Sequence, residues 1–223
     1  MKTGIVETTY CYTDKLKDTE TFERYYQMLS QERKNKVDQF KMDEDKRQSV
    51  CAGILLNDML TRHGIKEHAM VTAYKENGKP YFPQYPELQF NLSHSHGMVI
   101  CSFSNREVGC DVEKRSAVRE NVARRFFTSQ EYQAIFIKPA GEEQEKEFYR
   151  IWTIKESFLK ITGRGMSMAL DEFQAPLNDD SHRIQQVYYD FPIYVKEYEL
   201  GNHQIAVCSP AKAFAEEMLQ IVL

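Results

Sequence analysis

Glycine and proline are sparse in this chain of 223 residues, at 10 and 7, which excludes collagen-like and low-complexity sequences. No apolar run approaches the roughly 18 residues that a membrane-spanning helix needs. The opening residues Met1-Lys2-Thr3-Gly4-Ile5-Val6 lack the apolar core of a secretion signal, so a cytoplasmic, unexported protein is expected. The five cysteines (Cys11, Cys51, Cys101, Cys110, Cys208) are odd in number and form no C-x-x-C. Neither a disulfide framework nor a zinc ribbon fits those spacings, and the thiols read as small buried hydrophobes. An excess of basic charge is also missing. With 29 Lys and Arg against 33 Asp and Glu, the net charge is −4, so neither nucleic acid nor a membrane surface is expected as a partner.

What is present alternates between strand-like and helix-like patterns. Residues 4–12 are rich in β-branched and aromatic side chains and read as a strand. Ser30 is placed to cap a helix over about 31–41, and a second helix follows over 43–62 with Val50, Ile54 and Leu55 at helical spacing. Asn77-Gly78-Lys79-Pro80 reads as a turn. From Gln89 the chain is extended, Met98–Phe103 reads as a buried strand, and Val108–Glu113 is expected to be its hairpin partner. Thr128-Ser129-Gln130-Glu131 forms a capping box. A patterned helix over 148–162 is closed by Gly163. Strands are expected over 187–195 and 197–208, with a short helix over 211–223. The order of elements repeats, so two related α+β halves, 1–105 and 106–223, stand beside a single irregular α+β domain as the alternative.

Three short segments carry candidate chemistry. In Gly109-Cys110-Asp111-Val112-Glu113, strand alternation puts Asp111 and Glu113 on one face and turns Cys110 and Val112 to the core. Two carboxylates side by side repel unless a cation lies between them, and hard oxygen ligands suit Mg²⁺. In Trp152-Thr153-Ile154-Lys155-Glu156-Ser157-Phe158-Leu159-Lys160, the residues Ile151, Ile154, Phe158 and Ile161 share one helix face. Glu156 and Lys160 share the other, as in an ordinary i,i+4 surface pair. Lys155 lies about 100° round the helix from Glu156 and is expected to matter less. The third segment, Asn91-Leu92-Ser93-His94-Ser95-His96-Gly97, lies in neither a G-x-S-x-G nor an H-E-x-x-H context. Arg33, Lys34, Lys36, Lys46 and Arg47 add a local basic cluster.

Taken in order, N-L-S-H-S, G-C-D-V-E and W-T-I-K-E-S-F-L-K resemble the 4′-phosphopantetheinyl transferases, in their long, pseudo-dimeric, surfactin-synthetase-activating type. Recognisable motifs run from about residue 25 to 175. Cys110 departs from the larger aliphatic residue usual in that family. The resemblance implies two similar α+β halves in a pseudo-twofold arrangement with coenzyme A in the cleft between them. It implies transfer of 4′-phosphopantetheine to a serine of an acyl or peptidyl carrier protein, in fatty-acid, polyketide or nonribosomal peptide synthesis, with release of adenosine 3′,5′-bisphosphate.

By the same resemblance, Asp111, Glu113 and Glu156 hold Mg²⁺, Lys160 lies against the pyrophosphate, and Ser93 and His94 meet coenzyme A phosphate. Gly78, Lys79 and Pro80 lie near the adenine; Arg33, Lys36 and Ser49 surround the 3′-phosphate, with Arg33 where a close relative has lysine. Glu156 or a metal-bound water serves as the base. Arg115, Arg119, Arg124 and Arg125 are candidates to steer an acidic carrier. The segment Gly163 to Phe173 is where it would dock, with Met166 and Met168 either as anchors or as core filler. A monomer is expected, since both halves lie in one chain. The alternatives are another Mg²⁺-dependent pyrophosphate-cleaving enzyme and a non-catalytic binder of coenzyme A or carrier proteins.

Overall fold

The computed structural model describes residues 4–65, 72–75, 78–165, 168–177 and 182–223. The first half opens with β1 (Ile5–Tyr12), whose β-branched and aromatic side chains suit a pleated, half-buried surface. Three helices follow. Asp18 caps α1 (Thr19–Gln27) and Ser30 caps α2 (Gln31–Gln39), each accepting a backbone N–H that the first turn leaves without a partner. The long α3 (Asp43–Arg62) then covers the sheet. Two short strands, β2 (Ala73–Tyr74) and β3 (Pro80–Tyr81), lead into the hairpin of β4 (Gln89–Ser95) and β5 (Met98–Ser104). Its loop is only His96-Gly97, with φ of 43° and 83°. Positive φ at both positions is the signature of a tight type I′ connection, which glycine and, less readily, histidine can adopt.

The second half runs β6 (Gly109–Lys114), α4 (Glu120–Phe126), α5 (Ser129–Phe136), α6 (Glu142–Thr162), and the hairpin β7 (Tyr194–Leu200) and β8 (His203–Ser209). The sheets are ordered β1-β5-β4 and β6-β8-β7. In both, the first strand lies antiparallel to the last strand of the hairpin, and the longest helix covers one face. The fold is therefore two similar α+β halves.

Each half has its own core between helix and sheet, and a third core lies where the sheets face each other. Val6, Met98 and Ile100 meet Val108, Cys110, Val112, Ile205 and Val207 there. Burial of each such side chain contributes about 1.5–3 kcal/mol. All five cysteines are buried and unbridged. No helix among the described residues is long and apolar enough to cross a membrane.

Several expected elements differ. Val108–Glu113 is not the hairpin partner of the strand before it; β5 pairs with β1 and β4, and β6 pairs with β8. The segment 187–193 is irregular, and the expected strand 197–208 is split by the turn at Gly201-Asn202. Residues 211–223 form no helix. They run beside β1 as two short parallel strands, β9 (Ala213–Phe214) and β10 (Leu219–Gln220). The Ile221 N–H then donates to the Tyr10 carbonyl, and Ile221 and Leu223 pack on the first-half core. This partly buried apolar contact, together with the ladder to β1, outweighs the helix propensity of an Ala- and Glu-rich stretch.

Candidate active site

The site is built where β4, β6 and α6 meet. On β6, Cys110 and Val112 are fully buried in the core between the sheets, as alternation requires. Asp111 and Glu113 therefore face the side on which α6 lies. That helix comes unusually near, because Gly109 has no side chain: a Cβ there would lie 2.1 Å from the Ser157 carbonyl oxygen and 2.9 Å from the Ile161 nitrogen. Gly109→Ala is expected to displace α6, at a cost of about 1–3 kcal/mol. Unchanged denaturant unfolding in that variant would contradict the close contact.

The buried face of α6, with Ile151, Ile154, Phe158 and Ile161 in the core, leaves Glu156 and Lys160 half-buried and turned toward β6. The three N–H donors of Lys160 are all engaged, by Ser93 Oγ at 2.8 Å, Asp111 Oδ1 at 2.8 Å and the Cys110 carbonyl at 3.0 Å. Ser93 in turn donates to Asp111 Oδ1 at 2.9 Å. Asp111 Oδ2, by contrast, is buried with no hydrogen-bond donor among the described residues. Such an oxygen is costly unless it faces a cation.

Electrostatics set the three carboxylates against one another. Burial, then the charge of Asp111, pushes Glu156 from its ordinary 4.5 up to about 7, with Lys160 opposing and Glu113 adding to the rise. Burial and Asp111 raise Glu113 too, while Ser95, Arg119 and Trp152 hold it down. Burial alone would lower the Lys160 ammonium, but Asp111 and its other neighbours raise it. Among the described residues, no three His, Cys, Asp or Glu side chains are grouped as a ready-made metal cage. The orphaned Asp111 oxygen and two carboxylates driven toward protonation nonetheless fit a small divalent cation, one that takes the rest of its shell from water and phosphate.

Two cavities adjoin this centre and share Pro80, Asn91 and Leu92 as a common wall. The first, about 280 Å³, is lined by Gly78, Lys79, Leu159, Glu156 and Lys160. The second, about 270 Å³, is lined by Arg33, Lys36, Ser49 and His94, together with Asp45 and Gln48. Burial and the neighbouring Arg33 lower the pKa of Lys36, and burial and Lys160 lower that of His94. Lys36 is thus a cation crowded by Arg33, which an anion would relieve, and His94 is a mainly neutral imidazole able to hydrogen-bond beside it. Ser49 Oγ is buried without a partner among the described residues. Lys79 is buried, donates to the Val108 carbonyl at 3.1 Å, and is brought by burial to about 8. The expected turn begins at Asn77, outside the described residues; Gly78 has φ +79°.

Of the expected site residues, all but Asp111, Glu113 and Ser93 line one cavity or the other. Ser93 is buried and bridges Lys160 and Asp111. Three other expectations change. Arg115 is buried and bonded to Glu199, Asn202 and the Gly201 carbonyl, so it is a strut rather than a surface charge. Arg119, Arg124 and Arg125 are exposed. Met168 is buried in the second core, and Met166 lies outside the described residues. Lys155 is fully buried, paired with the equally buried Glu131 at 2.8 Å, and donates to the carbonyls of Leu170 and Phe173. Sequence spacing missed it because its partners are 15 to 24 residues away. Asn91 was also missed: its Oδ1 accepts the Cys110 N–H at 2.9 Å and ties β4 to β6.

Comparison with known proteins finds relatives over both halves of the chain. A family model described as the 4′-phosphopantetheinyl transferase superfamily matches residues 107–208, and one described as 4′-phosphopantetheinyl transferase, N-terminal, matches residues 17–105. The chain is 32% identical to the 4′-phosphopantetheinyl transferase Sfp of Bacillus subtilis, over 94% of this chain and 95% of that protein. It is 36% identical to the 4′-phosphopantetheinyl transferase psf-1 of Bacillus pumilus over 74% and 73% of the two chains. A human relative, L-aminoadipate-semialdehyde dehydrogenase-phosphopantetheinyl transferase, is 25% identical over 75% of this chain and 59% of its own.

Proposed function

Since the chain belongs to the 4′-phosphopantetheinyl transferase superfamily, and is thereby a transferase, we propose that it moves 4′-phosphopantetheine from coenzyme A to a serine of an acyl or peptidyl carrier protein. The observation that carries this reading is the pair of adjoining cavities, one rimmed by cations and the other by the Glu156 and Lys160 end of the acidic centre. A ligand with a terminal phosphate, an adenosine and an internal pyrophosphate suits that arrangement. The 3′-phosphate would meet Arg33, Lys36 and Ser49, and the adenine the Gly78-Lys79-Pro80 segment. Ser93, bonded to Lys160 and Asp111, would lie toward the pyrophosphate, and His94 lines the cavity with Arg33 and Lys36, where it too would meet coenzyme A phosphate.

In the proposed step the carrier serine oxygen bonds to the β-phosphorus while the bond from that phosphorus to the bridging oxygen breaks. Adenosine 3′,5′-bisphosphate leaves. Glu156 takes the serine proton, a role open to a half-buried carboxylate that lines the cavity beside Lys160. Lys160 holds Asp111 Oδ1 and so aims its free oxygen; exchanging one of its bonds would let it reach the leaving phosphate. Mg²⁺, held by Asp111, Glu113 and Glu156, would supply charge neutralisation on the pyrophosphate oxygens. The cleft is completed within one chain, so the working unit is read as a monomer. Arg119 and Arg125 would supply positive surface for an acidic carrier, with Arg124 beside them paired to Glu120 at 2.6 Å.

Mass spectrometry of an apo carrier protein incubated with this protein, coenzyme A and Mg²⁺ tests the reading. A gain of one phosphopantetheine is expected; an unchanged carrier with coenzyme A hydrolysed to free 4′-phosphopantetheine and adenosine 3′,5′-bisphosphate would instead indicate pyrophosphate cleavage, and an unchanged carrier with intact coenzyme A a silent binder. A second expectation concerns the phosphate cavity. Charge-assisted hydrogen bonds are worth about 1.5–3 kcal/mol, so 3′-dephospho-coenzyme A should bind roughly 10–100-fold more weakly than coenzyme A. Equal affinities by titration calorimetry would overturn the phosphate assignment of Arg33, Lys36 and His94.

A further inference from the structure

The strands β4 and β6 belong to different halves and share no backbone ladder, yet side chains zip them together. Asn91, Ser93 and Ser95 alternate along β4 and so lie on one face. Asn91 accepts from the Cys110 N–H at 2.9 Å, Ser93 donates to Asp111 at 2.9 Å, and Ser95 donates to Glu113 Oε2 at 3.0 Å. The Ser95 hydroxyl also accepts the Lys114 N–H at 3.2 Å and lies 3.0 Å from His96 Nδ1.

These contacts determine where the one hydroxyl proton goes. The Lys114 N–H can only donate and an ionised carboxylate can only accept. The proton therefore points at Glu113, and the two lone pairs take the Lys114 N–H and a proton on His96 Nδ1. The arrangement is fixed at both ends: Ser95 is only 7% exposed, and the two-residue turn with positive φ at His96 brings the imidazole back onto it. Asp111 is oriented twice over, by Ser93 and by Lys160. Among the described residues, no lysine bonds Glu113. Its Oε2 is held from the first half by Ser95, while Arg119 and Trp152 act on it from its own half.

We infer that Ser95 is a positioning residue, a hydroxyl from the first half that fixes the Glu113 carboxylate of the second half in its metal-binding orientation. The inference rests on the proposal that Glu113 is a Mg²⁺ ligand. It assigns Ser95 no contact with coenzyme A or the reacting atoms. Outer partners of a metal ligand typically change metal affinity by about 10–100-fold when removed.

The test uses the full chain with coenzyme A and Mn²⁺ as the probe, free and bound metal being counted by electron paramagnetic resonance in the absence of any carrier. Ser95→Ala should weaken Mn²⁺ binding about 10-fold or more, while coenzyme A binding measured in a chelator stays within about twofold of wild type. Ser95→Thr, which keeps the hydroxyl on a strand-compatible side chain, should restore most of the Mn²⁺ affinity. If Ser95→Ala does not fold, Ser95→Cys, with the same shape and a much weaker donor, is read in its place with the same thresholds. Mn²⁺ affinity unchanged while wild type binds the metal overturns the role of Ser95 alone. Loss of chelator-insensitive coenzyme A binding by a similar factor makes Ser95 a general strut and also overturns it. A wild-type complex that binds no Mn²⁺ overturns the metal assignment and this inference together.

Discussion

Glu156→Gln lowers the rate of phosphopantetheine transfer by roughly 10²–10⁴-fold, the usual share of general acid–base catalysis, while coenzyme A binding weakens only modestly. Glutamine keeps the length of the side chain and its hydrogen bonding but cannot accept the serine proton. Arg33 and Lys36, which would hold the 3′-phosphate, line the other cavity together with His94 and are untouched. Single-turnover kinetics with saturating Mg²⁺ and carrier reads the chemical step directly. Transfer at near wild-type rate would leave the carboxylate neither base nor essential ligand.

A stability measurement separates this effect from damage. In the ligand-free protein the Glu156 pKa is raised from 4.5 to about 7. A raised carboxylate pKa means that the folded protein binds the proton more tightly than the unfolded chain. The contribution is then fully present below pH 4.5 and is lost as the pH rises through about 7. Glu156→Gln removes that loss, so ligand-free Glu156→Gln should unfold at pH 8 no earlier than wild type. A lower Tm there would point to misfolding as the cause of slow transfer.

Lys155→Met gives the second large effect, on stability. Lys155 and Glu131 are both fully buried. Glu131 accepts the Thr128 N–H through Oε2 and the Ala175 N–H through Oε1, each at 2.8 Å. Lys155 holds the carbonyls of Leu170 and Phe173. One ion pair thus fastens the start of α5, the middle of α6 and the segment 170–175. Removing the ammonium leaves an uncompensated buried carboxylate and two unpaired carbonyls, at a cost of about 3–5 kcal/mol. For a chain of this size that lowers Tm by roughly 10 °C. A thermal melt within a degree or two of wild type would show that the pair is dispensable. The same burial makes Lys155→Ala useless as a mild control for Glu156, contrary to what its place on the helix suggests.

Local rules were readable where the partner lies nearby in the chain. The capping box at Thr128 and Glu131 forms as its spacing requires, and alternation on β6 correctly divided Asp111 and Glu113 from Cys110 and Val112. α6 starts at Glu142 rather than 148 because acidic residues favour a first turn without needing a core behind them. Pairing over long distances was not readable. Proximity suggested β5 for β6, whereas the actual partner, β8, is about 90 residues on. Lys155, Arg115 and Ser95 have ordinary surface-compatible chemistry, and only tertiary contacts reveal that each is buried. Within the site, the residues of the three motifs converge on one centre, whereas the bonds of Asn91 and Ser95 to the other half have no signature in the spacing.

The placement of β9 and β10 beside β1 has a bearing on synthesis. Residues 5–12 leave the ribosome some 200 residues before the strands that cover their outer edge. Throughout that interval β1 has an open hydrogen-bonding edge, a template for pairing with another chain. Because chains are made at about 5–20 residues per second, the exposure lasts on the order of ten seconds or more. The first half reaches its final sheet only after the second half has been made, and a chaperone that shields strand edges would find its window in that delay.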